Sequence, residues 1–439
     1  MSHRVRRWRA LTVAVGVALG VFSPSCSAPQ RAGTYAQMRG ARLEVLAAWS
    51  GTEQARFTAV LRGFSSRTGA VVTYASARQG VPQVLDARLA AGDPPDVALL
   101  PQPGLLRRYA QSGRLVPLDD ATVRLVRRDY APVWQSLASS GGRQFGVWFK
   151  AANKSLLWYD VAAFERAGIA PPDRLDGLLT AARTLRDSGI APFSVGGADR
   201  WTLTDWFENL YLQMSGPQAY DQLAAHRLAW TDASVTAALA VMARLLSPEN
   251  LRAGVAGTLR TGFEDSVARA FTTPPAAAMV VEGDFVASVV TARTTAQIGV
   301  DVDAVPFPAA RPGVPVMVGG GDVAVQLRPS AAGAELMRYL ASPEAAAVWA
   351  RAGGFISPNQ ELDLAMYPDA LTRSMARSLV EAGDGFRFDL SDLQPPAFGS
   401  TPTAGMQLAL HDFLQTRDVP GTASRLERMA AAAYAGRSR

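Results

Sequence analysis

Cysteine is almost absent. The 439-residue chain has one, Cys26, which excludes an intramolecular disulfide and a cysteine-based zinc or iron–sulfur site. Histidine is nearly as scarce, and His3, His226 and His411 lie too far apart in sequence to suggest a histidine-rich metal centre. Of the 44 basic residues 42 are Arg, as expected of a GC-rich genome; the two lysines, Lys150 and Lys154, stand four residues apart. Charge of one sign is also missing. The formal charge is +6, but residues 1–25 hold four Arg and no acid, leaving 40 basic against 38 acidic residues in the rest. That balance does not suggest a nucleic-acid binder, whose bases concentrate on one face. There is no internal repeat and no low-complexity block beyond Ala-rich stretches. What is present, 48% hydrophobic and 19% charged residues with 38 Gly and 28 Pro, is a globular composition with length for two or three domains.

The N-terminus reads as an address. Arg4, Arg6, Arg7 and Arg9 precede an apolar run from Leu11 to Phe22 and then Ser23-Pro24-Ser25-Cys26, the layout of a secretory signal over residues 1–25. Twelve residues fall short of the roughly 20 that cross a hydrocarbon core. Cys26 stands where a bacterial lipobox, which this segment resembles, places its lipidated residue. Residues 26–40, polar and small, read as a lipidated Cys followed by a flexible tether spanning about 20 Å. No later segment is long and apolar enough to span a bilayer.

The body opens with alternating patterns. Leu43–Trp49 reads as a strand. A helix follows with Phe57, Val60, Leu61 and Phe64 on one face, then strand Ala70–Tyr74, helix Val81–Ala91 and strand Asp96–Leu100. Such alternation predicts a parallel, doubly wound sheet, in which ligands gather beyond the carboxyl ends of strands. Trp49, Ser50, Glu53 and the loop Pro101-Gln102-Pro103-Gly104 fall there. A helix-rich region with Trp201, Trp206, Phe207 and Tyr211 follows, over about 161–290. A β pattern returns near Ile298 and again at Val323–Leu327, followed by a helix over Ala331–Ala350 and a mainly helical C-terminal part.

Several segments taken in order resemble the carbohydrate-binding subset of the family 1 extracellular solute-binding proteins of ABC importers. They are Trp49-Ser50-Gly51-Thr52-Glu53-Gln54, Leu89-Ala90-Ala91-Gly92-Asp93-Pro94-Pro95-Asp96-Val97 and Ser112-Gly113-Arg114-Leu115-Val116-Pro117-Leu118-Asp119. Further on come Lys154-Ser155-Leu156-Leu157-Trp158-Tyr159-Asp160, Ala277-Ala278-Met279-Val280-Val281-Glu282-Gly283 and Ser342-Pro343-Glu344-Ala345-Ala346. Thr204-Asp205-Trp206-Phe207-Glu208 is similar to the α-glucoside-type branch. The resemblance covers most of the chain after residue 41. It implies an α/β, two-lobed periplasmic-binding-protein fold with discontinuous lobes, the ligand cleft between them and a helix-rich C-terminal part. The expected N-terminal lobe is 41–150 plus 302–352, and the expected C-terminal lobe is 151–301 plus 353–439. The chain would first cross near Phe149–Asn153, return near Val302 and cross again around Gly353.

A sugar cleft needs flat rings for the apolar pyranose faces and charged or amide groups for the hydroxyl rim. Trp49 and Glu53 lie past the first strand, where the family's acidic sugar contact occurs. The resemblance also implies Asp96, Asn153 and the ring of Phe285 as ligand contacts. Lys150, Asp205, Trp206, Glu282, Asp284 and Arg387 complete the candidate side chains. Gly319-Gly320-Gly321-Asp322 lacks the Gly-Lys-Ser/Thr ending of a phosphate loop; Gly320, Gly321 and Asp322 are instead expected to bring backbone amides and a carboxylate to a sugar.

The function expected is capture rather than catalysis: a lipid-anchored, extracytoplasmic protein that closes on an oligosaccharide or α-glucoside and delivers it to an ABC permease. The expected partners are the sugar and the permease subunits, with no cofactor, metal or nucleic acid, membrane contact only through the anchor, and a monomeric chain. Two alternatives are a solute binder for a non-sugar ligand and a secreted glycoside hydrolase. The second would need two carboxylates about 5–10 Å apart around a glycosidic bond. The discontinuous β/α pattern does not resemble the barrels common among such hydrolases, and no Ser/His/Asp arrangement is supported.

Overall fold

The structure is a computed structural model that describes residues 38–435 apart from 78, 79, 312 and 314. The signal, Cys26 and most of the tether lie outside the described residues. Among the described residues, no helix is long and apolar enough to cross a membrane.

Apolar spacing and punctuation build the first units. The helix Gly51–Thr68 buries Phe57, Val60, Leu61 and Phe64, and stops where Gly69 takes a left-handed conformation (φ 74°) that an L side chain rarely adopts. It connects β1 (Arg42–Ala47) to β2 (Val71–Ser76), and the helix Val81–Ala90 leads to β3 (Val97–Leu100). These three strands run parallel, with β1 in the middle. A short hairpin, β4 (Ser139–Ser140) and β5 (Arg143–Gln144), precedes β6 (Gly146–Asn153). Next come β7 (Leu156–Asp160), β8 (Met279–Glu282), β9 (Val302–Pro306), β10 (Met317–Gln326) and β11 (Phe386–Phe388).

The strands form two main sheets. The larger is ordered β11-β10-β3-β1-β2, with β6 also paired to β10; the smaller is β8-β7-β9. β6 ends at Asn153 in the large sheet and β7 begins at Leu156 in the small one, so the chain changes sheet over Lys154-Ser155. Val302–Pro306 was expected at the start of the returning lobe, but β9 pairs with β7. The return therefore runs through residues 307–316, because β9 completes the small sheet before the chain leaves it. After β11 the chain passes to C-terminal helices and turns whose Leu390, Phe398, Leu410 and Leu426 pack with Trp206 and Phe207 in the second of two hydrophobic cores. The expected helix Ala331–Ala350 is two helices, Ala331–Leu340 and Pro343–Ala350: Ser342 caps the second and Pro343 cannot continue the first. The result is the expected α/β fold, two-lobed and discontinuous, with a helix-rich C-terminal part and a cleft between the lobes.

Candidate functional site

Strand geometry builds a floor where the sheets meet. Residues two apart on a strand share a face, so Lys150, Ala152 and, just past β6, Lys154 project on one side. Asp322 stands opposite Lys150, and Gly320 opposite Ala152, on β10. A Cβ added at Gly320 would meet only the Lys154 Cε within 4 Å, at 3.9 Å. A hollow therefore lies between two lysines whose backbones are about 13 Å apart at strand rise.

At one end, the Lys150 Nζ donates to the Glu53 Oε1 at 2.5 Å. The same ammonium lies 5.8 Å from the Trp49 ring centroid and 5.3 Å from that of Trp349. Glu53 sits in the first turn of Gly51–Thr68, where the helix dipole favours a carboxylate. Burial opposes the charge on Lys150, but Glu53 and Asp322 outweigh it and raise the pKa. Burial pushes Asp284 up to about 7 and Asp322 up to about 6, with Lys150 opposing both shifts.

At the other end, the Lys154 Nζ donates to the Asp205 Oδ1 at 3.0 Å and to the Asp389 Oδ2. Glu208 accepts the Leu390 and Ser391 amides at 2.9 and 3.1 Å, and the Gln102 amide donates to Asp392 at 2.6 Å. Asp205 and Glu208 are wholly buried, and Asp389 and Glu282 only 2% and 3% exposed. Five carboxyl groups thus surround one ammonium in a dry setting, and they divide the charge unequally. Burial works against Asp389, but Lys154 and Ser391 hold it below the usual carboxylate range. Burial pushes Glu208 and Glu282 well above that range, Asp205 up to about 7 and Asp392 up to about 8. The Asp205 Oδ2 and Glu282 Oε2 have no hydrogen-bond partner among the described residues, and the two carboxyl groups interact, Asp205 adding to the upward shift of Glu282. Carboxylate oxygens of Asp205, Glu208 and Asp389 lie within 4.8 Å of one another, close enough for a metal ion. The Lys154 ammonium, bonded to two of the three, already serves as their counter-cation.

Over this floor stand three rings. Trp201, Phe263 and Phe285 contact one another with centroids 5.1, 5.4 and 5.9 Å apart, and the Lys154 Nζ lies 5.6 Å from the Trp201 ring. All three remain partly exposed. Arg200, at φ 65°, turns the chain so that Trp201 opens its helix beside Phe263. A cavity of about 880 Å³ separates Glu53 and Arg56 on one side from Phe263, Asp284 and Phe285 on the other, with Gly353–Ile356 along its edge.

The structure thus gathers Glu53, Lys150, Asp284, Phe285, Gly320 and Asp322 at the floor and walls, and seals Asp205 and Glu282 behind them. Other candidates lie elsewhere. Trp49 is 6% exposed and packs edge-on against Phe57 and Trp349, each at 4.8 Å, so its ring belongs to the core. Trp206 is 1% exposed and wedged between Phe193 and Phe307. Asp96 precedes β3, at the amino end of the parallel strands, where its Oδ2 accepts the Glu44 amide at 2.8 Å; it is a structural anchor opposite the ligand end. Asn153 is buried on the other face of β6, donating to the Ser378 Oγ at 3.2 Å and accepting the Ser155 amide at 2.9 Å. Arg387 is committed to Asp221 at 2.7 Å. The expected amide cradle is not formed at Gly320 or Gly321: both lie in the β6–β10 ladder, and while the Gly320 Cβ position is open, a Cβ at Gly321 would come within 2.5 Å of the Lys150 carbonyl. Trp201, Phe263, Lys154, Asp389 and Asp392 were not among the predicted site residues, and Gln102 was placed only as part of the loop Pro101–Gly104 at the ligand end of the strands. The rarity of lysine was the one signal that pointed to Lys154.

The model of the bacterial extracellular solute-binding protein family matches residues 48–347. The chain belongs to that family. It is a solute-binding protein that works outside the cytoplasm, and its family consists of binders rather than enzymes. It is 33% identical over 370 residues to the osmoprotective compounds-binding protein GgtB of Synechocystis sp., covering 82% of this chain and 86% of that protein. It is 30% identical over 380 residues to the alpha-glucosides-binding periplasmic protein AglE of Rhizobium meliloti, covering 83% and 82%. Among solved structures, the galactopyranose receptor AcbH superposes with a TM-score of 0.74 at 18% identity over 90% of this chain and 98% of that one. RafE from Streptococcus pneumoniae gives 0.73 at 16% over 89% and 98%.

Proposed function

We propose that this protein captures a carbohydrate of the α-glucoside class in the cleft between its lobes and delivers it, unaltered, to the permease of an ABC importer. The observation that carries this reading is the cavity in which the partly exposed rings of Phe263 and Phe285, in contact with Trp201, face the same space as the carboxyl groups of Glu53 and Asp284. Rings suit the C–H faces of a pyranose and ionised or amide groups suit its hydroxyls, whose loss would leave buried groups unpaired. The likeness to AglE supports the α-glucoside class.

The lobes in this reading are 41–153 with 317–388, and 156–306 with 389–435; the crossing expected around Gly353 falls instead after β11, because residues 355–388 pack in the first core and β11 pairs with β10. They move about the crossings at 154–155 and 307–316, and a sugar touching both sides favours the closed form. Cys26 carries a lipid that anchors the monomeric protein to the cell membrane through the tether, so that the closed form meets its permease there. Release requires moderate affinity, in the micromolar range, roughly −8 kcal/mol. Titration calorimetry with sucrose, trehalose, maltose and galactose tests the reading, and heat from none of them with clear binding of a peptide or a metal would sink it. Sustained release of nitrophenol from aryl α-glucosides would overturn the assignment as a binder.

A further inference from the structure

The chain uses arginine 42 times and lysine twice, and the two lysines flank one hollow. A coding bias toward arginine acts on every basic position alike. Lysine survives here at two sites on the same side of the chain, one on β6 and one just past its end, on either side of Ala152 and Gly320. We infer that Lys150 and Lys154 are the positioning residues of the sugar floor, and that the site requires a compact ammonium, not merely a positive charge, at each end of it. The inference rests on the carbohydrate reading above.

The geometry explains why a guanidinium will not serve. At one end the Lys150 Nζ is held among Glu53 and the rings of Trp49 and Trp349, and only 18% of its side chain is exposed. At the other, Lys154 is 16% exposed and meets Asp205 and Asp389, themselves 0% and 3% exposed, under the Trp201 ring. A planar fork with five donors needs more width than a recess bounded by the rings of Trp49 and Trp349 at one end and of Trp201 at the other, whereas an ammonium is a point charge with three donors. Lys154 spends two of its donors on carboxylates and Lys150 one on Glu53. Each ammonium fixes an acid, Lys150 the half-exposed Glu53 at the rim of the hollow and Lys154 the buried Asp389 behind it, and keeps a donor in reserve.

The test uses the full chain carrying Cys26→Ser, so that the only cysteine is the one introduced. Binding of sucrose, trehalose and maltose is measured by calorimetry for Lys150→Arg, Lys154→Arg, Lys150→Cys and Lys154→Cys. The two cysteine variants are measured before and after alkylation with 2-bromoethylamine, which rebuilds a lysine-like side chain ending in an ammonium. The arginine variants are expected to lose at least tenfold in affinity, and the cysteine variants to lose binding and regain it on aminoethylation. Circular dichroism before alkylation shows whether each cysteine variant is folded like the parent, and regain of binding by a variant already folded separates positioning from folding. Wild-type affinity in both arginine variants, or no recovery after aminoethylation, overturns the inference while leaving the carbohydrate reading intact. No heat from the parent chain with any sugar overturns that reading and this inference with it.

Discussion

The two lysine centres share a side of the chain and a chemistry but differ in their acids. Around Lys150 the principal acid, Glu53, has 43% of its side chain in water; around Lys154 both bonded acids are sealed at 0% and 3%. In the open setting water screens the pair, and exposed pairs are worth about 0–1 kcal/mol. In the sealed one the ammonium is, among the described residues, the only cation against the buried acids, and removing it leaves carboxylates stranded at a cost of about 3–5 kcal/mol. The first centre is therefore free to exchange partners with a ligand, while the second holds the lobe wall in place.

The sharpest way to break this contrast is Lys154→Met, expected to lower unfolding free energy by about 3–5 kcal/mol in urea titrations. A loss below 1 kcal/mol would show that the sealed carboxyls simply take up protons when the ammonium is gone. Trp206→Ala and Trp49→Ala should cost about 3–5 kcal/mol each through the cavities they leave, placing both rings in the cores. Wild-type stability with lost sugar binding in either variant would restore that ring to the ligand site.

The pH dependence tests the acid surplus. Asp205, Asp284, Asp322 and Asp392 have native pKa values raised to between about 6 and about 8, against about 3.9 in the unfolded chain. Across that window the native state holds more protons than the unfolded state, so these groups' stabilisation is complete below about pH 4 and is lost as pH rises to about 8. The thermal midpoint should fall from pH 5 to pH 8, and Asp392→Asn should flatten the decline. A midpoint that climbs across that range would contradict the burial of these acids.

Smaller effects belong to the open side. Lys150→Met should cost about 1 kcal/mol or less in stability yet weaken sugar binding clearly in calorimetry. Arg387→Ala, which removes a partner of the half-exposed Asp221, should change stability by at most about 1 kcal/mol and leave sugar affinity at the wild-type value.

Much of the fold was legible. The spacing of Phe57, Val60, Leu61 and Phe64, the stop at Gly69 and the buried run Val97–Leu100 are local patterns with local causes, and the structure keeps them. The site was legible only in part. Glu53, Asp284 and Phe285 follow directly on strands or strand turns and could be placed by that fact. Trp49 and Trp206 look from sequence like any aromatic near a strand end or in a helix. Whether such a ring faces a cleft or a core depends on what packs over it, here Trp349 and Phe307, 300 and about 100 residues away. Asp96 misled because a strand's first residue lies opposite its ligand end.

The residues themselves determined the alternating β/α start, the scarcity of metal ligands and the isolation of two lysines in a chain of arginines, because composition and periodicity act within a few residues. Only the folded chain brought Lys154 together with Asp205, Asp389 and Trp201, and Glu53 together with Lys150. Those partners lie 47 to 235 positions from the lysines they meet. Such encounters are set by how strands of different segments pair and by what burial does to charge, and neither is written in any one stretch of sequence.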